Sequence, residues 1–110
     1  VWRLSNNGVL VAMIMIESPQ GIANLQEIVQ VPGIGVLFVG PTDMATYINA
    51  EGPNSLEVEE MVQQVLSVCI EANIACGYPI VASSLQDAEQ QTAARLDQGF
   101  KVLAVMITSR

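Results

Sequence analysis

Four apolar runs punctuate the chain, and amphipathic stretches of helical period separate them. Val9 to Ile16 is apolar at every position and rich in branched residues. Ile34 to Val39 repeats the pattern after Pro32-Gly33. Ile74 to Tyr78 follows, broken by Pro79, and Lys101 to Ile107 closes the series. Short continuous apolar runs of this kind predict strands buried on both faces, the habit of parallel sheets.

Between the runs the period changes to that of a helix. Ser18-Pro19 predicts an N-cap followed by proline at the first helical position, opening a helix to about Gln30 with Ile22, Leu25, Ile28 and Val29 on one stripe. Gly40-Pro41 breaks the second strand, and Thr42 or Asp43 is suited to cap a short helix after it. Ser55 caps a longer helix to about Ala72, with Val58, Met61, Val62, Val65, Leu66 and Cys69 as its core stripe. Ser84, with Asp87 three residues on, opens another, on which Leu85, Ala88, Thr92 and Leu96 are expected to face inward before Gly99 ends it.

Strand and helix therefore alternate, the pattern of a parallel α/β sheet covered by helices. Two architectures fit: an open doubly wound sheet, or part of a (β/α)8 barrel, of which four such units would be half. Gly33-Ile34-Gly35 precedes its strand and lacks the third glycine of a dinucleotide fingerprint, and no phosphate-binding P-loop is present. Residues 1–110 read as a single partial domain with no linker dividing it.

Composition narrows the chemistry. The net charge is −7 with only four Lys and Arg residues, which cannot form an electrostatic footprint on nucleic acid or on an anionic membrane. No run approaches the roughly 20 apolar residues of a spanning helix, and no basic segment precedes the first, so neither a membrane span nor a signal peptide is expected. Cys69 and Cys76 stand outside metal-ligand spacing and are expected to be buried free thiols in a reducing cytoplasm. The chain contains no histidine, which removes the commonest general base.

Two of the apolar runs lead to a carboxylate. Glu17 directly follows the first, and Asp43 lies four residues after Val39. In parallel α/β folds the reactive groups gather at the C-terminal ends of strands, and sequential strands are usually neighbours, which would place both acids on one rim. Three roles remain open on spacing alone: ligands of a hard divalent cation, an acid–base pair, or helix N-caps without chemistry. The Gly40-Pro41-Thr42-Asp43 turn admits close backbone approach, and a helix starting there would offer free amides to an anion such as the carboxylate of a 2-oxoacid.

These segments carry a resemblance. Ile16-Glu17-Ser18, Ala23-Asn24-Leu25-Gln26-Glu27-Ile28, Val31-Pro32-Gly33-Ile34 and Phe38-Val39-Gly40-Pro41-Thr42-Asp43-Met44 together resemble the C-terminal half of the HpcH/HpaI aldolase and citrate lyase β-subunit family, and the likeness continues through Gly77 to the last strand. The resemblance implies half of a TIM-type barrel and a divalent-metal-dependent carbon–carbon lyase that cleaves a 4-hydroxy-2-oxoacid to pyruvate and an aldehyde. It places the metal, Mg²⁺ or Mn²⁺ with Co²⁺ or Zn²⁺ as further options, on Glu17 and Asp43. It places the substrate carboxylate on the Gly40-Pro41-Thr42-Asp43 turn, at the amides of Thr42 and Asp43. It also implies a cytoplasmic homo-oligomer, or a chain that needs an N-terminal half. Two departures stand out: Met15 occupies a position where many members have glutamine, and the family's arginine and histidine have no match in Arg3, Arg95, Arg110 or any other residue here. A non-catalytic module that binds metal or 2-oxoacid without turnover is the alternative these departures imply.

Overall fold

A computed structural model describes residues 12–108. In chain order the elements are β1 (Ala12–Ile16), α1 (Pro19–Ala23), α2 (Leu25–Ile28), β2 (Ile34–Val39), α3 (Pro41–Ile48), α4 (Leu56–Ala72), β3 (Ala75–Ala82), α5 (Leu85–Gln98) and β4 (Val102–Ile107). The four strands form one parallel sheet in the order β1-β2-β3-β4. This is the α/β arrangement anticipated from the alternation. The part of the first predicted strand before Ala12 lies outside the described residues.

Helix ends follow the sequence where polar caps exist. Ser18, Ser55 and Ser84 each accept a hydrogen bond from the amide three residues on, those of Gly21, Val58 and Asp87. Asp87 in turn accepts from the Ser83 amide at 3.0 Å, which binds the loop after β3 to the start of α5. The first predicted helix is instead two short ones. Asn24 sits at ψ 9° and its amide reaches back to three carbonyls, so the chain turns once before α2 continues. Asparagine favours such turns because its side chain competes with the helix backbone.

Successive strand residues point to opposite faces. The helices cover the face bearing Ile16, Leu37, Val39, Cys76, Tyr78 and Ile80, and the α4 stripe of Val58, Val62, Val65, Leu66 and Cys69 packs into the same core. Phe100, just after α5, is 1% exposed in that core. The strands were expected to be buried on both faces, and the other face corrects this. It carries Met15 at 53%, Val81 at 59% and Met106 at 62% exposure, because none of the described helices packs on it. The inward stripe expected on α5 also changes. Ala88 is buried, but Leu85 and Leu96 are 66% and 50% exposed. Small Ala88 meets the sheet, while Arg95 fills the seam between α4 and α5.

That seam is a charged lock. Arg95 donates from both guanidinium nitrogens to the two carboxylate oxygens of Glu59, each at 2.8 Å, and its guanidinium lies 3.9 Å over the Tyr78 ring. The contact ties α4, α5 and β3 together, and this paired geometry makes the hydrogen bonds stronger than neutral ones.

Two further expectations are corrected. β3 does not stop at Pro79 but runs to Ala82. Cys76 and Ala82 turn their carbonyls to the β4 side, accepting from Lys101 and Thr108. Pro79 therefore faces β2, whose pairing with β3 ends at Phe38–Gly77, and its missing N–H costs no ladder bond. Cys69 and Cys76 are not free thiols but form a disulfide, with Cα atoms 5.8 Å apart. Asn73 ends α4 in the left-handed conformation at φ 57°. The chain reverses there, so a core-facing residue of the last helical turn meets the second residue of β3. Separation along the sequence conceals this proximity.

Candidate metal centre at the strand ends

β1 and β2 are parallel neighbours in a register that pairs Ile16 with Val39. Glu17 leaves the end of β1, and one residue beyond β2 the Gly40 amide donates to the Ile16 carbonyl at 2.9 Å. This bond extends the ladder past the strands and holds the start of α3 against Glu17. A Cβ on Gly40 would lie 2.9 Å from the Glu17 Cβ and 3.4 Å from both Glu17 Oε2 and Met15 Sδ. Glycine is thus required by close approach, and the group approached is the Glu17 side chain.

Gly40 is the N-cap of α3 and offers no side-chain cap bond, and Pro41 takes the first helical position. Thr42 and Asp43 are therefore inside the first turn, which corrects the expectation that one of them caps the helix. The first helical bond runs from Met44 N–H to Gly40 O at 2.9 Å. The amides of Thr42 and Asp43 precede it and project from the helix start beside the rim. Thr46 Oγ1 donates to the Thr42 carbonyl at 3.2 Å and fixes the turn from behind. Asp43 gains from the helix dipole at this position without being a cap. Glu17 is no cap either, since Ser18 serves α1.

The structure brings Glu17 and Asp43 together. The Glu17 carboxyl is held above its ordinary value, first by a hydrogen bond with the Asp43 side chain, then by desolvation and by repulsion from the Asp43 charge. Two carboxylates this close repel one another, and a bound cation would relieve that repulsion. The donors are hard oxygens, the type that Mg²⁺ and Mn²⁺ prefer, and among the described residues no cluster of three or more His, Cys, Asp or Glu forms. A cation held here would keep positions open for substrate oxygens. Of the sequence-predicted residues, Glu17, Gly40, Pro41, Thr42 and Asp43 meet on this rim. Met15, singled out in the sequence only as a departure from the family pattern, lies two residues before Glu17 and shares its face of the sheet.

Comparison with known proteins identifies the family and the fold. The sequence model of the HpcH/HpaI aldolase/citrate lyase family matches residues 3–106. A hydroxypyruvate/pyruvate aldolase of Delftia acidovorans is 34% identical over 99 residues, covering 89% of this chain and 35% of that protein. A 2-dehydro-3,6-dideoxy-6-sulfogluconate aldolase of Pseudomonas putida is 30% identical over 94 residues, covering 84% of this chain and 34% of that protein. The chain thus spans about a third of the length of these relatives. Among solved structures, an HpcH/HpaI aldolase/citrate lyase family protein from Burkholderia cenocepacia superposes with a TM-score of 0.73 at 26% identity, over 92% of this chain and 37% of that one. An HpcH/HpaI aldolase from Desulfitobacterium hafniense, at a TM-score of 0.74 and 16% identity over 87% of this chain and 36% of that one, shares the fold. The four-stranded parallel sheet is accordingly part of the TIM-barrel-type fold of this group.

Proposed function

The chain belongs to the HpcH/HpaI aldolase/citrate lyase family, and from that premise we propose that it supplies the metal-binding portion of a carbon–carbon lyase. In this reading Glu17 and Asp43 hold Mg²⁺ or Mn²⁺, and the Gly40-Pro41-Thr42-Asp43 turn receives the carboxylate of a 2-oxoacid. The observation that carries it is the meeting of two carboxyls at adjacent strand ends, close enough to raise the Glu17 pKa. The overall reaction is cleavage of a 4-hydroxy-2-oxoacid to pyruvate and an aldehyde. When bound, the cation would supply Lewis acidity toward the 2-oxo group. The chain's own part is positional. Gly40 brings Glu17 beside the start of α3, and Thr42 and Asp43 offer amides to the substrate carboxylate.

The chain contains no histidine, and the family's catalytic arginine has no counterpart in its motifs. A second reading follows from these two facts: a module that binds metal and 2-oxoacid without turnover. β1 and β4 are the outer strands of the sheet, and the propensity of sheet edges to pair supports association, either with a second copy or with an N-terminal half.

One pair of measurements tests the reading. Mn²⁺ binding, followed by electron paramagnetic resonance, should be weakened at least about ten-fold by Glu17→Gln and by Asp43→Asn, as expected when one of two charged ligands is neutralised. Unchanged Mn²⁺ affinity in both variants refutes the metal assignment. Release of pyruvate from a 4-hydroxy-2-oxoacid with Mg²⁺ supports the lyase; metal binding without release supports the module.

A further inference from the structure

The open face of the sheet and its two outer strands complement one another, and we infer that two copies of the chain close a single eight-stranded barrel, with β4 of each copy beside β1 of the other. The inference rests on the sheet alone and is independent of the metal reading. The strand ends supply the geometry. Ile16 pairs with Val39 and Phe38 with Gly77, so the level of Ile16 continues through Tyr78 to Leu103. β4 ends at Ile107, four residues beyond that level. Four strands thus step by four residues, and two copies step by the eight that a closed eight-stranded parallel barrel requires. With no further step at the junction, Ile107 stands level with Ile16 of the partner copy, and Met106 with its Met15. The faces agree as well. Ile16 and Ile107 share the helix side with Val39 and Ala82, whereas Met15 and Met106 share the open side.

The surfaces suit such a closure. No residue of the four strands is charged, so the net charge of −7 per chain lies outside them. Met13, Met15, Val81 and Met106 line the open face, and each is more than half exposed. Neither outer strand carries the proline or charge that ordinarily blunts a sheet edge, and parallel sheets are ordinarily covered on both faces. Four strands about 4.8 Å apart and about 20 Å long present roughly 400 Å², and the two edges of a layer about 10 Å thick add about as much again. Together they match the roughly 800 Å² that each partner contributes to a stable interface. The interior of an eight-stranded barrel is just wide enough for side chains to fill it. Closure also bears on the rim. Thr108, one residue beyond β4, would stand level with Glu17 of the partner copy, and one mouth of the barrel would carry both Glu17–Asp43 pairs.

The test uses the full chain. Sedimentation equilibrium should give twice the monomer mass of 11.8 kDa. Ala104→Asp puts a carboxylate on the open side of β4, at a position exposed in the single chain. It should raise the dimer dissociation constant at least about 100-fold, because two unpaired charges would enter the interior, and leave the circular dichroism spectrum unchanged. A second variant reads the register directly. Met15→Cys combined with Met106→Cys should form a disulfide between copies, since paired strands lie about 4.8 Å apart and a disulfide spans Cα atoms about 4.4–6.8 Å apart. Within one chain the same residues are three strand spacings apart, about 14 Å, so the oxidised product should run as a covalent dimer on a non-reducing gel. Met13→Cys combined with Met106→Cys, two residues out of register, should not cross-link. A chain that stays monomeric overturns the inference and leaves the open face to a different polypeptide. A dimer that fails to cross-link through positions 15 and 106, or an open series of larger species, overturns the closed ring. Mn²⁺ binding by a monomeric chain would remove the barrel and leave the metal site standing.

Discussion

Gly40→Ala should destabilise the chain even though its backbone conformation is open to any residue. Gly40 sits at φ −118° and ψ 79°, so alanine brings no left-handed strain. On backbone grounds alone, the lost freedom of the unfolded chain would make alanine stabilising by about 0.4–1 kcal/mol. The packing acts in the opposite direction. The new methyl would stand 2.9 Å from the Glu17 Cβ, about 1 Å inside the optimum for two carbons. A Cβ cannot swing aside by changing rotamer, so the end of β1 and the start of α3 must separate, straining the Gly40–Ile16 hydrogen bond. Overpacking of this kind costs about 1–3 kcal/mol, which leaves a net loss of about 1–2 kcal/mol. For a chain of this size each kcal/mol lost lowers Tm by roughly 4–8 °C. Urea denaturation followed by circular dichroism measures the first quantity, and Mn²⁺ titration of the same variant should show weakened binding, because the displaced group is Glu17. A variant as stable as the wild type, with unchanged Mn²⁺ affinity, would refute the argument that Gly40 is glycine to make room for Glu17.

Two further outcomes follow from the helix layer. Reducing the Cys69–Cys76 disulfide, or replacing both residues by alanine, should lower stability in urea by about 2–3 kcal/mol, the chain-entropy value for so short a loop; an unchanged midpoint with a phosphine reductant would show that the bond does not constrain the chain. The Arg95 hydrogen bonds hold Glu59 below its ordinary value near 4.5, with a further contribution from Gln63. A depressed carboxyl stabilises the fold above its unfolded pKa, and that stability is lost as pH falls from about 4.5 through the lower folded value. The pair is partly exposed, so the contribution is about 1 kcal/mol, and Glu59→Gln should flatten the pH dependence of Tm in that acid window, whereas an unchanged profile would assign the acid sensitivity elsewhere.

The disulfide and the pair at the rim mark what linear reading can and cannot reach. The four apolar runs, the serine caps and the α4 stripe act through local sterics and near-neighbour hydrogen bonds, so their sequence pattern carried them into the structure almost unchanged. Glu17 and Asp43 were legible as candidates because each follows a strand, and their place on one rim required only that β1 and β2 be neighbours. Distances between segments were not legible. Cys69 meets Cys76 because Asn73 turns the chain back, Pro79 is tolerated because β2 has already ended beside it, and Leu85 and Leu96 stay outside because Arg95 and Ala88 take the inner face of α5. By itself the sequence determined the parallel α/β alternation and the two acids that could bind a cation. Only the tertiary structure decided that Asp43 is not a cap, that Gly40 is glycine for the sake of Glu17, and that Met15 borders the site. Capping and alternation are properties of a few consecutive residues, whereas close approach depends on how separate segments pack.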